Sequence, residues 1–135
     1  MAESAKIKNV GLRGVTVADT KISDVDGENG VLIYRGYRIE ELAQSSTFEE
    51  TAYLLLHDAL PNEEQLDDFR RRLAEARELP SFVFDALKKL PKSALPMDVL
   101  QASIPLLAMA DPEFQEETRE ANINKAVRLI ARVPM

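Results

Sequence analysis

The sequence has 135 residues, 45% of them apolar and 30% charged, with a formal net charge of −6. That balance fits one soluble globular domain able to bury about two-thirds of its unfolded surface, and it argues against a nucleic-acid footprint, which needs a basic face. With no cysteine there is no disulfide framework, thiolate zinc site or thiol nucleophile. No apolar run approaches the ~20 residues of a membrane span. The opening residues MAESAKIKNV have no apolar stretch of the kind a secretory signal carries. A cytoplasmic location is the expectation.

Residues 1–10 read as a loose arm. Val15-Thr16-Val17, between Gly14 and Asp19, is β-prone and is expected to add a small strand. Thr20–Val25 and Val31–Tyr34 read as the two arms of a β-hairpin joined by Asp26-Gly27-Glu28-Asn29-Gly30. The Asp-Gly and Asn-Gly pairs supply residues that tolerate positive φ, as hairpin turns require. A lone hairpin is marginal in water, so this region must lean on helices or on another chain. Arg35-Gly36-Tyr37-Arg38 is expected to turn directly into a helix at Ile39.

From there the chain reads as helices punctuated by proline. Thr47 and Glu50 form a capping box. Phe48, Ala52, Leu55, Leu56 and Ala59 follow at helical spacing, with Pro61 closing that helix. Asn62 and Gln65 cap the next, whose inward stripe is Leu66, Phe69, Leu73 and Ala76. Ser81 starts a short helix with Val83, Ala86, Leu87 and Leu90 inward. Leu95-Pro96-Met97-Asp98 begins another, carrying Val99, Leu100, Ser103, Ile104 and Leu107. Pro105 sits inside it, and a mid-helix proline costs ~3 kcal/mol unless compensated, so a kink or break is expected near Gln101–Ile104. Asp111-Pro112 marks a turn or a helix start. Ile123, Ala126, Val127, Ile130 and Ala131 give a clean helical stripe.

Few residues invite chemistry. His57 is the one histidine. Its neighbour Asp58 cannot face it from the next position of a helix, so the reading is a helix-end histidine near the C-terminal dipole. Asp19, Asp24, Asp26 and Glu28 cluster around the turn but depart from the spacing of a calcium loop, and Asp24-Val25-Asp26-Gly27-Glu28 reads as turn chemistry. Arg35 and Arg38 could grip a carboxylate or phosphate, but the favoured role pins the hairpin to Glu40, Glu41 or the acidic turn. Gly11-Leu12-Arg13-Gly14 does not fit a phosphate-binding loop. Arg70-Arg71-Arg72 reads as a solvated helix face.

The ordered string Asp26-Gly27-Glu28, Tyr34-Arg35-Gly36-Tyr37, Ser46-Thr47-Phe48-Glu49-Glu50 and Leu60-Pro61 resembles the N-terminal region of the citrate synthase family, 2-methylcitrate synthases included. The resemblance runs from about Gly11 to Pro134. It implies a mainly α fold: residues 1–38 as arm and hairpin, and residues 39–135 as the helical front part of the family's large domain. The family's chain is more than twice as long. Its members condense acetyl-CoA with oxaloacetate, using two histidines and an aspartate. These lie downstream of the region that matches here, and His57 fits neither catalytic motif. No catalytic, cofactor-binding or metal-ligating residue is therefore assigned, and acetyl-CoA is expected only as the parent enzyme's substrate. Relatives often carry a histidine where this chain has Leu95, and an unbroken helix where it has Pro105.

The family is dimeric, and the matching helices take part in its subunit interface. The expected interface residues are Met97, Leu100, Ile104, Leu107, Ile123, Ala126, Val127 and Ile130. The stripes agree in kind, because left bare they would form an apolar patch of the sort that marks an interface. They could instead pack on each other as core. The expected function is thus scaffold and dimerisation for a citrate-forming acyltransferase, with the remainder of the parent chain and a second copy as partners. A short non-catalytic helical module, or one subunit of a split enzyme, is the alternative.

Overall fold

A computed structural model describes residues 15, 16 and 18–135. The arm at residues 1–10 lies outside that set, as does Val17 of the expected first strand. Strands β1 (Ser23–Asp26), β2 (Val31–Tyr34) and β3 (Tyr37–Arg38) precede six helices: α1 (Ile39–Ser45), α2 (Phe48–His57), α3 (Glu63–Glu75), α4 (Ser81–Lys89), α5 (Pro96–Met109) and α6 (Arg119–Arg132). The fold is mainly helical with a small antiparallel sheet, as expected.

The first hairpin forms where its turn chemistry places it. Ser23 pairs with Tyr34 and Asp26 with Val31. The Asp26 carboxylate accepts from the backbone N–H groups of Glu28 and Asn29, both at 3.1 Å, and from the Asn29 amide at 2.7 Å. The Asn29 side-chain bond, first among these contacts, holds the Asp26 carboxyl below its usual range. That carboxylate is engaged by its own turn. A second hairpin corrects the expected passage straight into helix. Tyr34 pairs with Tyr37 across Arg35-Gly36, whose φ values of 48° and 91° fit a two-residue type I′ turn. Tyr37 and Arg38 are therefore strand, and α1 starts behind them, packed on β2 and β3.

Both expected capping boxes are present. Thr47 and Glu50 close the start of α2, and Asn62 and Gln65 the start of α3. Helix α2 ends at His57, short of Pro61, because Asp58 adopts a left-handed conformation at φ 71°. Its buried residues are Ala52 and Leu54, whereas Phe48 is exposed.

Helices α2, α3 and α6 share one core: Ala52, Phe69, Leu73, Val127 and Ala131, flanked by Tyr53, Leu56, Ala76, Ile123 and Ile130. Phe69 is 1% exposed, and burying such a ring contributes about 2–3 kcal/mol. Helix α5 packs on α4, and α6 on α3. The two stripes singled out above thus pack mainly on other helices rather than on each other. Helix α5 also runs unbroken through Pro105 from Pro96 to Met109. Gln101, whose carbonyl loses its helical partner to that proline, is exposed, so water can take the bond's place. Ser103 donates to the Val99 carbonyl at 2.6 Å one turn before the proline.

Candidate functional site

Three features are candidates for function: the apolar faces of α5 and α6, a polar chain that ties α6 down, and a groove beside His57.

The eight expected interface residues do not share one environment. Met97, in the first turn of α5, is 70% exposed. Leu100, Ile104, Ile123, Ala126 and Ile130 are half-buried. Leu107 and Val127 are covered by the chain itself, and Val127 belongs to the α2–α3–α6 core. Open apolar grooves flank α5. One, of about 170 Å³, lies towards α6 and is lined by Ile104, Leu107, Ala108, Phe114 and Leu129 among others. The second, of about 200 Å³, lies towards α4 and includes Val83, Leu87, Val99 and Leu100. Met109 stands exposed beyond them, and Phe114 is exposed where it lines the first. Contiguous exposed apolar side chains of this kind are what an interaction surface presents.

The polar chain was not foreseen. Asp111 follows α5, and Arg128 projects from α6 to meet it with a two-pronged fork, Nε to Oδ2 at 2.8 Å and Nη2 to Oδ1 at 2.7 Å. The same Nη2 reaches Glu113 at 2.7 Å. Glu113 then accepts from the Asn124 amide at 3.0 Å, and Asn124 accepts from Arg72 of α3 at 2.8 Å. Burial works to raise the Asp111 carboxyl, but bonds from Arg128 and the Glu113 N–H outweigh it and hold the group below its usual range. Glu113 is likewise lowered, by Asn124 and then Arg128. Arg72 is accordingly not part of a solvated basic face; it is half-buried and ties α3 to α6.

Arg35 takes the structural role, with partners other than those expected. It bridges to Asp58 at 2.5 Å and donates to the carbonyls of Leu55 and Lys21, both at 3.3 Å. The second hairpin is thereby clamped to the end of α2. Arg38 meets Glu40 at 3.6 Å. Asp58 is shared with Arg119 at 3.4 Å and does not serve the neighbouring imidazole.

His57 ends α2. Its ring stacks on Tyr53 at 4.1 Å and meets Phe69 edge-on at 6.5 Å, and its Nε2 is enclosed without a hydrogen-bond partner. Burial, then the charges of Arg72 and Arg119, push the imidazole below its usual range against a smaller pull from Asp58. The sign of the consequence follows. The unfolded chain takes up this proton first, near the ordinary value of ~6.5. Folding stability therefore falls as pH drops below that value and levels off once the folded state is also protonated. Urea midpoints measured between pH 7 and pH 5 are expected to decline in the native chain and to flatten in His57→Gln. The lowered carboxyls of Asp26, Glu50, Asp111 and Glu113 add their own loss only nearer the ordinary carboxylate range of ~4. An equal slope in both chains contradicts this assignment.

Among the described residues no helix is long and apolar enough to cross a membrane, and no cluster of ligating side chains is arranged to hold a metal. Fold and site together define a mainly helical body with a small antiparallel sheet and exposed apolar side chains around α5. Comparison with known proteins places it. A family model described as "Citrate synthase, C-terminal domain" matches residues 11–135. Citrate synthase of Haloferax volcanii is 41% identical over 128 residues, covering 92% of this chain and 34% of that protein. The 2-methylcitrate synthase of Shewanella oneidensis is 35% identical over 136 residues, covering 99% of this chain and 35% of that protein. The crystal structure of citrate synthase from Pyrobaculum aerophilum superimposes with a TM-score of 0.84 at 37% identity, covering 91% of this chain and 33% of that one. The chain belongs to the citrate synthase family. It spans about a third of the length of the curated relatives it matches.

Proposed function

We propose that this chain is the N-terminal scaffold and dimerisation portion of a citrate synthase-like enzyme that condenses acetyl-CoA with oxaloacetate to give citrate and CoA. The carrying observation is a family match over nearly the whole chain that accounts for only about a third of its relatives. The apolar faces beside α5 are then surfaces for the rest of the enzyme and for a second copy in a cytoplasmic homodimer. The N-terminal placement rests on the Tyr34–Tyr37 and Ser46–Glu50 segments, not on the label of the matched domain.

Such an enzyme needs an aspartate to take a proton from the acetyl methyl group. It needs one histidine to stabilise the enol and another to assist attack on the oxaloacetate carbonyl, before the citryl thioester is hydrolysed. These groups must converge on two substrates. This chain supplies one imidazole, stacked on Tyr53 with its Nε2 enclosed, and it binds neither substrate productively. Its part is to hold helices in place. A thiol-release assay with acetyl-CoA and oxaloacetate is expected to give no CoA above the blank for the isolated chain; steady turnover overturns the scaffold reading. The 2-methylcitrate synthase among the relatives favours a second parent reaction, with propionyl-CoA as the acyl donor. The same assay on the parent enzyme with each thioester separates the two.

A further inference from the structure

The groove between the end of α2, α3 and the first turn of α6 reverses the sign of the chain's charge. The protein carries −6 overall, yet Arg71, Arg72 and Arg119 line this groove against Asp68 and Glu120. Asp68 is already paired with Arg71, which also holds Glu75. Arg72 differs. It is half-buried, and among the described residues no carboxylate lies within ion-pair distance of it. It donates instead to the neutral Asn124 amide oxygen at 2.8 Å, while the Asn124 nitrogen points to Glu113. Arg119 is loosely held, sharing Asp58 at 3.4 Å with an Arg35 that sits at 2.5 Å. His57 lines the same space, which amounts to about 620 Å³. A guanidinium drawn partly out of water without a counter-charge is unfavourable, and an anion relieves that cost.

We propose that this groove binds a compact dianion of phosphoryl or dicarboxylate chemistry, gripped by Arg72 and Arg119 with His57 at its edge. The forked N–H donors of arginine match two oxygens of either group. Asn124 keeps Arg72 in place without neutralising it. Two guanidiniums face the same space, so a doubly charged ligand gains more from them than a singly charged one, against the opposing charge of Glu120. Bound anion offsets the field of the two arginines at the imidazole. Anion binding and His57 protonation therefore assist one another, and the anion binds more tightly as pH falls. The proposal stands apart from the acyl-transfer reading, because it needs only the described residues.

One histidine means that one set of imidazole resonances reports on the groove. The test titrates the chain with sodium sulfate, standing for a phosphoryl group, and separately with sodium succinate, at ionic strength held constant with chloride. A saturable shift with at least one of them is expected, together with a move of the His57 titration to higher pH. Saturation by sulfate alone assigns phosphoryl chemistry, and by succinate alone dicarboxylate chemistry. Arg119→Gln and Arg72→Gln are each expected to weaken binding about tenfold, the scale of one charge-assisted contact. Amide spectra confirm folding of both variants. Arg119 is 71% exposed in its side chain, so its variant decides the matter if Arg72→Gln does not fold. A response no larger than chloride alone gives, or one that neither variant weakens, overturns the proposal.

Discussion

Phe69→Ala is expected to lower the unfolding free energy by about 4 kcal/mol, the usual cost of emptying a buried aromatic site. The ring is 1% exposed and sits where α2, α3 and α6 converge, beside Ala52, Leu73, Val127 and Ala131. It meets Tyr53 edge-on at 5.5 Å, so the variant loses an aromatic contact as well as apolar burial. Little can collapse into the void, because alanine already occupies the facing positions 52 and 131. Domains are stable by only about 5–15 kcal/mol. Chemical unfolding should show a large drop in midpoint with an unchanged slope. A loss below about 1 kcal/mol contradicts the placement of the core.

The second large effect falls on Arg128. Arg128→Met is expected to destabilise by about 2 kcal/mol, because it leaves the half-buried carboxylate of Asp111 without its charged partner. The side chains of Arg128 and Asp111 are 19% and 11% exposed, so water compensates little. The partner variant Asp111→Asn removes the stranded charge, and the double variant should be less destabilised than the sum of the two singles. Strict additivity in that cycle contradicts direct coupling. Without the Arg128 fork, Asp111 and Glu113 no longer hold the α5–α6 connection against α6. The apolar groove bounded by Phe114 and Leu129 should then loosen.

Local chemistry was legible in the sequence where a residue acts on its near neighbours. The Asp26 turn, the Thr47 and Asn62 capping boxes and the Phe69–Leu73 stripe all follow from short spacings. The second hairpin was not legible, because Arg35 takes a positive φ that arginine seldom adopts, and β3 is only two residues long. The Arg-Gly pair was the available signal. Pro105 misled for another reason: the proline penalty is real, but it falls on an exposed turn that water can satisfy. Leu54 was lost from the α2 face because a run of three leucines does not say which one points inward. The chain from Asp111 through Arg128, Glu113 and Asn124 to Arg72 joins residues as far as 52 positions apart, which no local pattern encodes. Individual burial was also beyond reach. The stripe on α6 is real, but Val127 serves this chain's own core, with Ile123 and Ile130 packed against it, while Leu129 lines the groove beside α5.

On the function proposed above, the apolar faces around α5 are covered by polypeptide beyond this chain. Light scattering of the purified chain over a wide concentration range tests it most directly. The expected mass rises above the 15.1 kDa of one chain toward a dimer, with Met97→Asp shifting it back. A mass of one chain at every concentration contradicts it.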